Sequence, residues 1–213
     1  LVLFFKKEPL SCLMARTTTT MKPFDIRTAV ERDIEALRVL MAAAIEVLQR
    51  GFLSEAQIEA SRAIMGLDTQ LIADGTYFVV EAEGALAGCG GWSRRATLYG
   101  GSHSPGRNPA LLDPAKDAAR VRAMYTHPDF VRRGVGRLVL ATCEAAAKAE
   151  GFRRVELAAT LSGVPLYERC GYVAIERFED ARGGVAVPLV RMGRVLGNEL
   201  DVRPSGARSV AGL

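Results

Sequence analysis

The sequence predicts a mixed α/β sheet with helices on both of its faces. Three observations carry that expectation. Two apolar runs, Tyr77–Ala82 and Ala85–Trp92, are separated only by the turn pair Glu83-Gly84, the signature of a hairpin. Further along, short strand-like runs alternate with helical stripes. The helical stripes are apolar on one side only, so each helix must lie against something.

Taken in chain order, Phe24–Arg27 reads as a first strand and Thr28-Ala-Val-Glu31 as a capping box opening a helix. Ile34, Leu37, Met41, Ile45 and Leu48 then recur at helical spacing until Gly51. Ser54-Glu-Ala-Gln57 is a second capping box, with Leu53 and Ile58 placed as its hydrophobic staple, for a helix running to about Met65. After the hairpin, whose Gly88, Gly90 and Gly91 signal a bulge or a close backbone approach, comes the long Gly-, Pro-, Ser- and Arg-rich segment Ser93–Ala118. A loop of that length is a lid, a binding loop or disorder. Arg120–Thr126 alternates, with Val121, Ala123 and Tyr125 on one face and Arg122, Met124 and Thr126 on the other. A helix with Val135, Leu138, Val139, Cys143 and Ala146 on one side follows and closes at Gly151. Arg154–Ala159 is a strand, Val164–Cys170 a short helix stopped by Gly171, and Tyr172–Arg177 and Val185–Met192 are the last strands.

The 213 residues suit one domain and can bury a core without disulfides or metal. A net charge of +4 does not argue for nucleic acid. Cys12, Cys89, Cys143 and Cys170 form no C-x-x-C pair and only two histidines exist, so no zinc site is expected, and scattered cysteines fit a reducing cytoplasm. No stretch reaches the roughly 18 apolar residues of a membrane span. Residues 1–21 read as a leader or an upstream artefact, with Met21 the natural start. A domain is expected over 22–196 and a flexible tail over 197–213.

The chemistry concentrates in His127-Pro-Asp-Phe-Val-Arg-Arg-Gly-Val-Gly-Arg137. A strand ends, the chain turns, and a helix begins at Gly134-Val-Gly136. A helix start leaves amide donors unpaired, adds partial positive charge, and here carries glycines and three arginines. Such a segment is either an anion cradle suited to a pyrophosphate or a tight turn with a basic rim. Neither the P-loop nor the dinucleotide-binding glycine pattern fits, since Val139 stands where a third glycine would be. About thirty residues on lies Leu166-Tyr-Glu-Arg-Cys-Gly171-Tyr172.

Together, Thr126-His-Pro128, Val131-Arg-Arg-Gly134-Val-Gly136 and Leu166–Tyr172 resemble the GNAT superfamily of N-acetyltransferases. The resemblance spans Phe24 to about Arg194. It implies a mostly antiparallel central sheet of six or seven strands, acetyl-CoA as co-substrate, an amine acceptor and no metal. It implies that the amides of Val131, Arg132, Arg133, Gly134, Val135, Gly136 and Arg137 hold the pyrophosphate. Met124, Tyr125 and Thr126 would pair with the pantetheine arm as an added strand, and Tyr167 would protonate the departing thiolate. Val131 departs from the family's Arg or Gln, and Thr160 or Ser162 stands in for the usual Asn. The alternative is a degenerate acyl-CoA-binding sensor or interaction module.

The base for the incoming amine is not visible. Glu81, Glu156 and His127 are each candidates, against a salt-bridged or turn-forming role for each. Trp92 and Glu81 border the expected acceptor side. The loop Ser93–Ala118, with Arg94, Arg95, Arg107, His103 and Tyr99, is expected to cap that side, its arginines either solvated or favouring an acceptor that bears a carboxylate or phosphate. A homodimer through the last strands is possible in such a sheet.

Overall fold

The computed structural model describes residues 24–197; the leader expected over 1–21 and, residue 197 apart, the tail lie outside them. Seven strands form one sheet: β1 (Asp25–Thr28), β2 (Tyr77–Ala82), β3 (Ala85–Ser93), β4 (Ala119–Thr126), β5 (Arg154–Thr160), β6 (Val173–Asp180) and β7 (Val187–Val195). Their order is β1-β2-β3-β4-β5-β7-β6, and every neighbouring pair is antiparallel except β4–β5.

Helices cover both faces. On one, α4 (Val135–Ala149) buries Val135, Val139, Leu140, Cys143 and Ala147 against Val155, Leu157 and Ala159 of β5 and Trp92 of β3. On the other, α1 (Ile34–Leu48) buries Leu37, Leu40, Met41, Ala44 and Ile45 with Leu71 and Ile72 of α3 (Thr69–Ala73). Two shorter helices, α2 (Glu55–Ser61) and α5 (Val164–Arg169), complete the set. No helix of the described residues is long and apolar enough to cross a membrane.

The helix starts correct the sequence reading in one place and match it in another. Thr28 pairs with Phe78 inside the sheet, so it cannot cap. The chain instead enters α1 through the 3-10 turn Glu31–Asp33, where the Asp33 carboxylate accepts from the Val30 amide at 2.8 Å. At α2 the expected box forms: the Gln57 amide donates to Ser54 Oγ at 3.3 Å and the Ser54 amide to Gln57 Oε1 at 3.0 Å. That helix ends at Ser61 rather than Met65, and α3 begins on Asp68, whose carboxylate accepts from the Gln70 amide at 3.1 Å.

Strand β4 does not alternate as its sequence suggests. Tyr125 pairs with Cys89 and Arg122 with Gly91, so Ala123 and Met124 together oppose Gly90. The extra residue is a β-bulge, with Ala123 at φ 49°. Side chains past it change faces. Val121 packs on the α4 side with Met124, while Tyr125 packs on the α1 side. Tyr77 secures the kink by donating its hydroxyl hydrogen to the Ala123 carbonyl at 2.8 Å.

The parallel pair is short. β4 and β5 are in register only at Ala119–Val155 and Arg120–Glu156. Glu156 accepts from Arg120 and, at 2.7 Å, from Arg191 of β7, which ties three strands at the last shared rung. Beyond it the strands part.

Candidate active site

The parting of β4 and β5 opens a cavity of about 180 Å³. One wall is β4 from Val121 to Thr126, which has no strand beside it on that edge. Leu157, Ala158 and Thr160 of β5 face it, the last turn of α1 with Gln49 closes one end, and Leu98–Gly100 cover it. Met124, Tyr125, Thr126, Thr160, Ser162 and Tyr167, singled out from the sequence, all line this one space.

Tyr167 is carried on α5, a helix with Pro165 in its first turn and Gly171 at φ 84° just beyond its end, where a left-handed residue is needed. The side chain is buried, its ring 5.7 Å from that of Tyr172. Among the described residues its hydroxyl has only the Met124 sulfur as a hydrogen-bond partner, at 3.7 Å. Burial pushes the phenol's pKa well up, and the neighbouring Cys143 and Cys170 push the same way, so it holds its proton at neutral pH. Beside it, Thr160 Oγ1 and Ser162 Oγ lie 3.1 Å apart, and Ser162 Oγ donates to Gln49 Oε1 at 3.3 Å.

The cradle lies at the start of α4. The first amide of the helix to find a carbonyl is that of Leu138, on Gly134 at 3.0 Å; the amides of residues 132–137 donate to no backbone carbonyl of the described residues. Arg132 at φ 62° and Gly134 at φ 92° turn the chain so that these donors precede the helix. The helix can come this close to the sheet because β3 offers no side chains there. A Cβ on Gly88 would lie 2.4 Å from Val135 Cγ1, and one on Gly90 2.7 Å from Val139 Cγ1. Arg132 and Arg137 are exposed at the mouth. Arg133 instead lies over the Phe130 ring at 4.7 Å and reaches Glu83 at 3.2 Å, so it braces the turn. The orphan amides, the left-handed glycine and Arg132 and Arg137, which have no ion-pair partner among the described residues, fit a pyrophosphate; the free edge of β4 and the Thr160–Ser162 hydroxyls fit an amide-bearing arm.

Trp92 and Glu81 do not reach the cavity. Trp92 is a core anchor, edge-on to Phe152 at 6.0 Å. Glu81 is held by Arg27 at 2.6 Å at the β1–β2 edge of the sheet, strands away from the cavity. Glu156 sits between Arg120 and Arg191. Burial raises its pKa, but the two guanidiniums outweigh that and hold it below the ordinary range, which suits a structural anion. His127 caps the turn before the cradle, its Nδ1 accepting from the Asp129 amide at 3.3 Å.

The 94–118 segment is an ordered lid. Its arginines are spent on fixing it: Arg94 on Glu150 at 2.8 Å, Arg95 on Asp74 at 2.7 Å and Arg107 on Asp68 at 2.8 Å. Tyr99 donates to Asp180 at 2.9 Å, and His103 Nε2 lies 3.0 Å from the Arg62 carbonyl. Three residues of the site carry no sequence signal of their own. Gln49 ends an otherwise apolar helix stripe, Arg122 falls on the Met124 and Thr126 face of an alternating strand, and Asp68 lies between the second helix and the hairpin, where no element is assigned.

No curated protein is similar enough to match the sequence. Among solved structures, a GCN5-related N-acetyltransferase from Rhodopseudomonas palustris superimposes with a TM-score of 0.62 at 22% identity, covering 83% of this chain and 98% of that one. The PaiA N-acetyltransferase of Thermoplasma acidophilum, solved in complex with coenzyme A, gives 0.57 at 14% identity over 82% of this chain and 100% of that one. A ribosomal-protein-alanine N-acetyltransferase from Brucella melitensis gives 0.54 at 16%, over 80% and 99%. Likeness at these identities speaks for the fold alone. The sequence pattern of the acetyltransferase (GNAT) family, however, matches residues 39–172, most of the folded chain, and this protein belongs to that family.

Proposed function

We propose that the protein is an acetyl-CoA-dependent N-acetyltransferase that moves an acetyl group directly to a primary amine. The observation that carries this reading is Tyr167, a phenol buried in the cleft where two sheet strands part, whose hydroxyl has only the Met124 thioether as a hydrogen-bond partner among the described residues. When bound, acetyl-CoA supplies an acyl group activated as a thioester. The amides of residues 132–137 hold its pyrophosphate, the free edge of Met124–Thr126 aligns its arm, and Thr160 or Ser162 bonds an arm amide. Tyr167 gives its proton to the departing sulfur as the C–S bond breaks and the C–N bond forms. The acceptor nitrogen sheds a proton to water, and water restores the phenol. The high pKa of Tyr167 does not defeat this role, because the same burial also disfavours a bare thiolate.

Direct transfer is supported by the placement of the described thiols. None of Cys89, Cys143 and Cys170 lines the cavity; burial pushes the Cys89 thiol up to about 12 and raises those of Cys143 and Cys170 as well, away from a nucleophile's range. A homodimer belongs to the same reading: β6 is the outer edge of the sheet, and Val173 and Ile175 on it are more than half exposed.

The test has two parts. Acetyl-CoA, and not ATP or NAD, should raise the melting temperature. Tyr167→Phe should keep that shift while lowering kcat for amine-dependent thiol release by about 100- to 10,000-fold. Full turnover in Tyr167→Phe would remove the phenol from the mechanism, and binding without thiol release to any amine would leave a CoA-binding module.

A further inference from the structure

The cleft is lopsided in charge. The residues lining it include no Asp, Glu, His or Lys; the one charged side chain among them is Arg122, only 4% exposed. A guanidinium that deeply buried needs compensation. Its carboxylate partner, Asp68 at 2.7 Å, also serves Arg107 at 2.8 Å. Two guanidiniums therefore share one carboxylate. The next acid on this face, Glu156, is outnumbered in the same way by Arg120 and Arg191.

Hydrogen-bond capacity is lopsided in the same sense. Arg122 donates through Nη2 to the Gly100 carbonyl at 2.7 Å, while its Nε is buried with no partner among the described residues. Gln49, also 4% exposed, accepts from Ser162 through its carbonyl oxygen, and its carboxamide nitrogen donates to no described residue. Beside Arg122 there are thus two guanidiniums to one carboxylate, whose Oδ2 is itself buried without a hydrogen-bond partner among the described residues, and two donors, Arg122 Nε and the Gln49 carboxamide nitrogen, without a described acceptor.

We infer that the acetyl acceptor is a small amine that also bears a carboxylate, a free amino acid or a close analogue, with its carboxylate set against Arg122 and Gln49. The inference rests on the amine-acetylation reading above and names its substrate class. Two further features agree with it. The segment over the cavity is pinned at Asp68, Asp74 and Asp180, which suits a compact molecule better than a protein chain. A positive charge beside the acceptor also disfavours its ammonium form, so the neutral amine becomes available although no carboxylate base lines the cleft.

The experiment uses the full chain, acetyl-CoA and two matched libraries: the common α-amino acids with their β- and γ-homologues, and the carboxamides of the same compounds. Thiol release is followed at equal acceptor concentrations. The inference expects the best carboxylate to exceed its own carboxamide by about tenfold or more in kcat/KM, the scale of a charge-assisted hydrogen bond. It also expects Arg122→Gln to bring that ratio close to one. A residue that only staples the lid would lower both members together and leave the ratio intact. Equal rates for carboxylates and carboxamides in the native chain overturn the inference and leave the acetyltransferase reading standing. Acetyl-CoA binding without release to either library overturns both. The native-chain ratio decides the matter even if Arg122→Gln fails to fold.

Discussion

Asp68 holds the lid, a helix cap and the buried Arg122 at once, so replacing it tests how the acceptor side is built. Asp68→Asn is the informative change, because asparagine caps a helix as well as aspartate does and the bond from the Gln70 amide survives. What is lost is the charge. Arg107, with its side chain 23% exposed, can turn to water; Arg122, at 2%, cannot. Removing one partner of a buried pair costs about 3–5 kcal/mol, and the lower end applies because one of the two cations can relax. For a chain of this size about 3 kcal/mol lowers the melting temperature by roughly 6–12 °C. Adding Arg122→Met should recover much of the loss, since it removes the stranded cation. Scanning calorimetry of the native chain, the single variant and the double variant reads both effects. A single variant melting within about 2 °C of the native chain, or a double variant no more stable than the single, would refute the claim that Asp68 is the counter-charge of Arg122.

Three other outcomes follow from the geometry. Gly88→Ala would place a Cβ 2.9 Å from the Tyr125 carbonyl as well as against Val135, so it should cost about 1–3 kcal/mol and weaken acetyl-CoA binding by shifting the start of α4; unchanged binding by calorimetric titration would argue against the cradle. Asp33 and Asp74 are held below the ordinary carboxylate range chiefly by Arg27 and Arg95; at Asp180 and Glu156 burial opposes this, but Arg182 and the Arg191–Arg120 pair prevail. The unfolded chain thus takes up protons first on acidification: this stability is full above about pH 4.5 and is lost as pH falls through the lower folded values, so a melting temperature flat down to pH 3 would contradict the assignment. Among the described thiols, Cys170 should react with a maleimide at neutral pH while Cys89 and Cys143, buried and pushed up in pKa, wait for unfolding, as peptide mapping would show.

The sheet's strands, the two long helices and the turn into α4 are legible in the sequence because each is written locally: in periodicity, in the Glu83-Gly84 turn, in a glycine-bearing helix start. Tyr167 was legible through its motif. The acceptor side was not. The bulge at Ala123 inserts one residue opposite Gly90, and alternation read along β4 then assigns Val121 and Tyr125 to one face when they pack on opposite ones. That single insertion accompanies Arg122's placement in the cleft wall, and no local pattern announces it. The arginines of the 94–118 segment read as solvent-facing or ligand-facing because their partners, Glu150, Asp74 and Asp68, lie on elements distant in sequence. Glu81 misled for the same reason: its mate Arg27 is set by the register of β1 on β2.

The two rungs at Ala119–Val155 and Arg120–Glu156 carry a further consequence. Among the described residues they are the only ladder contact between a four-stranded leaf, β1 to β4, and a three-stranded leaf, β5, β7 and β6. Each leaf is encoded by one uninterrupted stretch of chain, and α4 is the strap that leads from the first into the second. The molecule is thus bound like a book, two stiff covers on a narrow spine. Residues at the spine, Arg120, Glu156 and Arg191, set the angle between the covers, and with it the width of the opening in which every proposed chemical step takes place, without any of them touching what is held there.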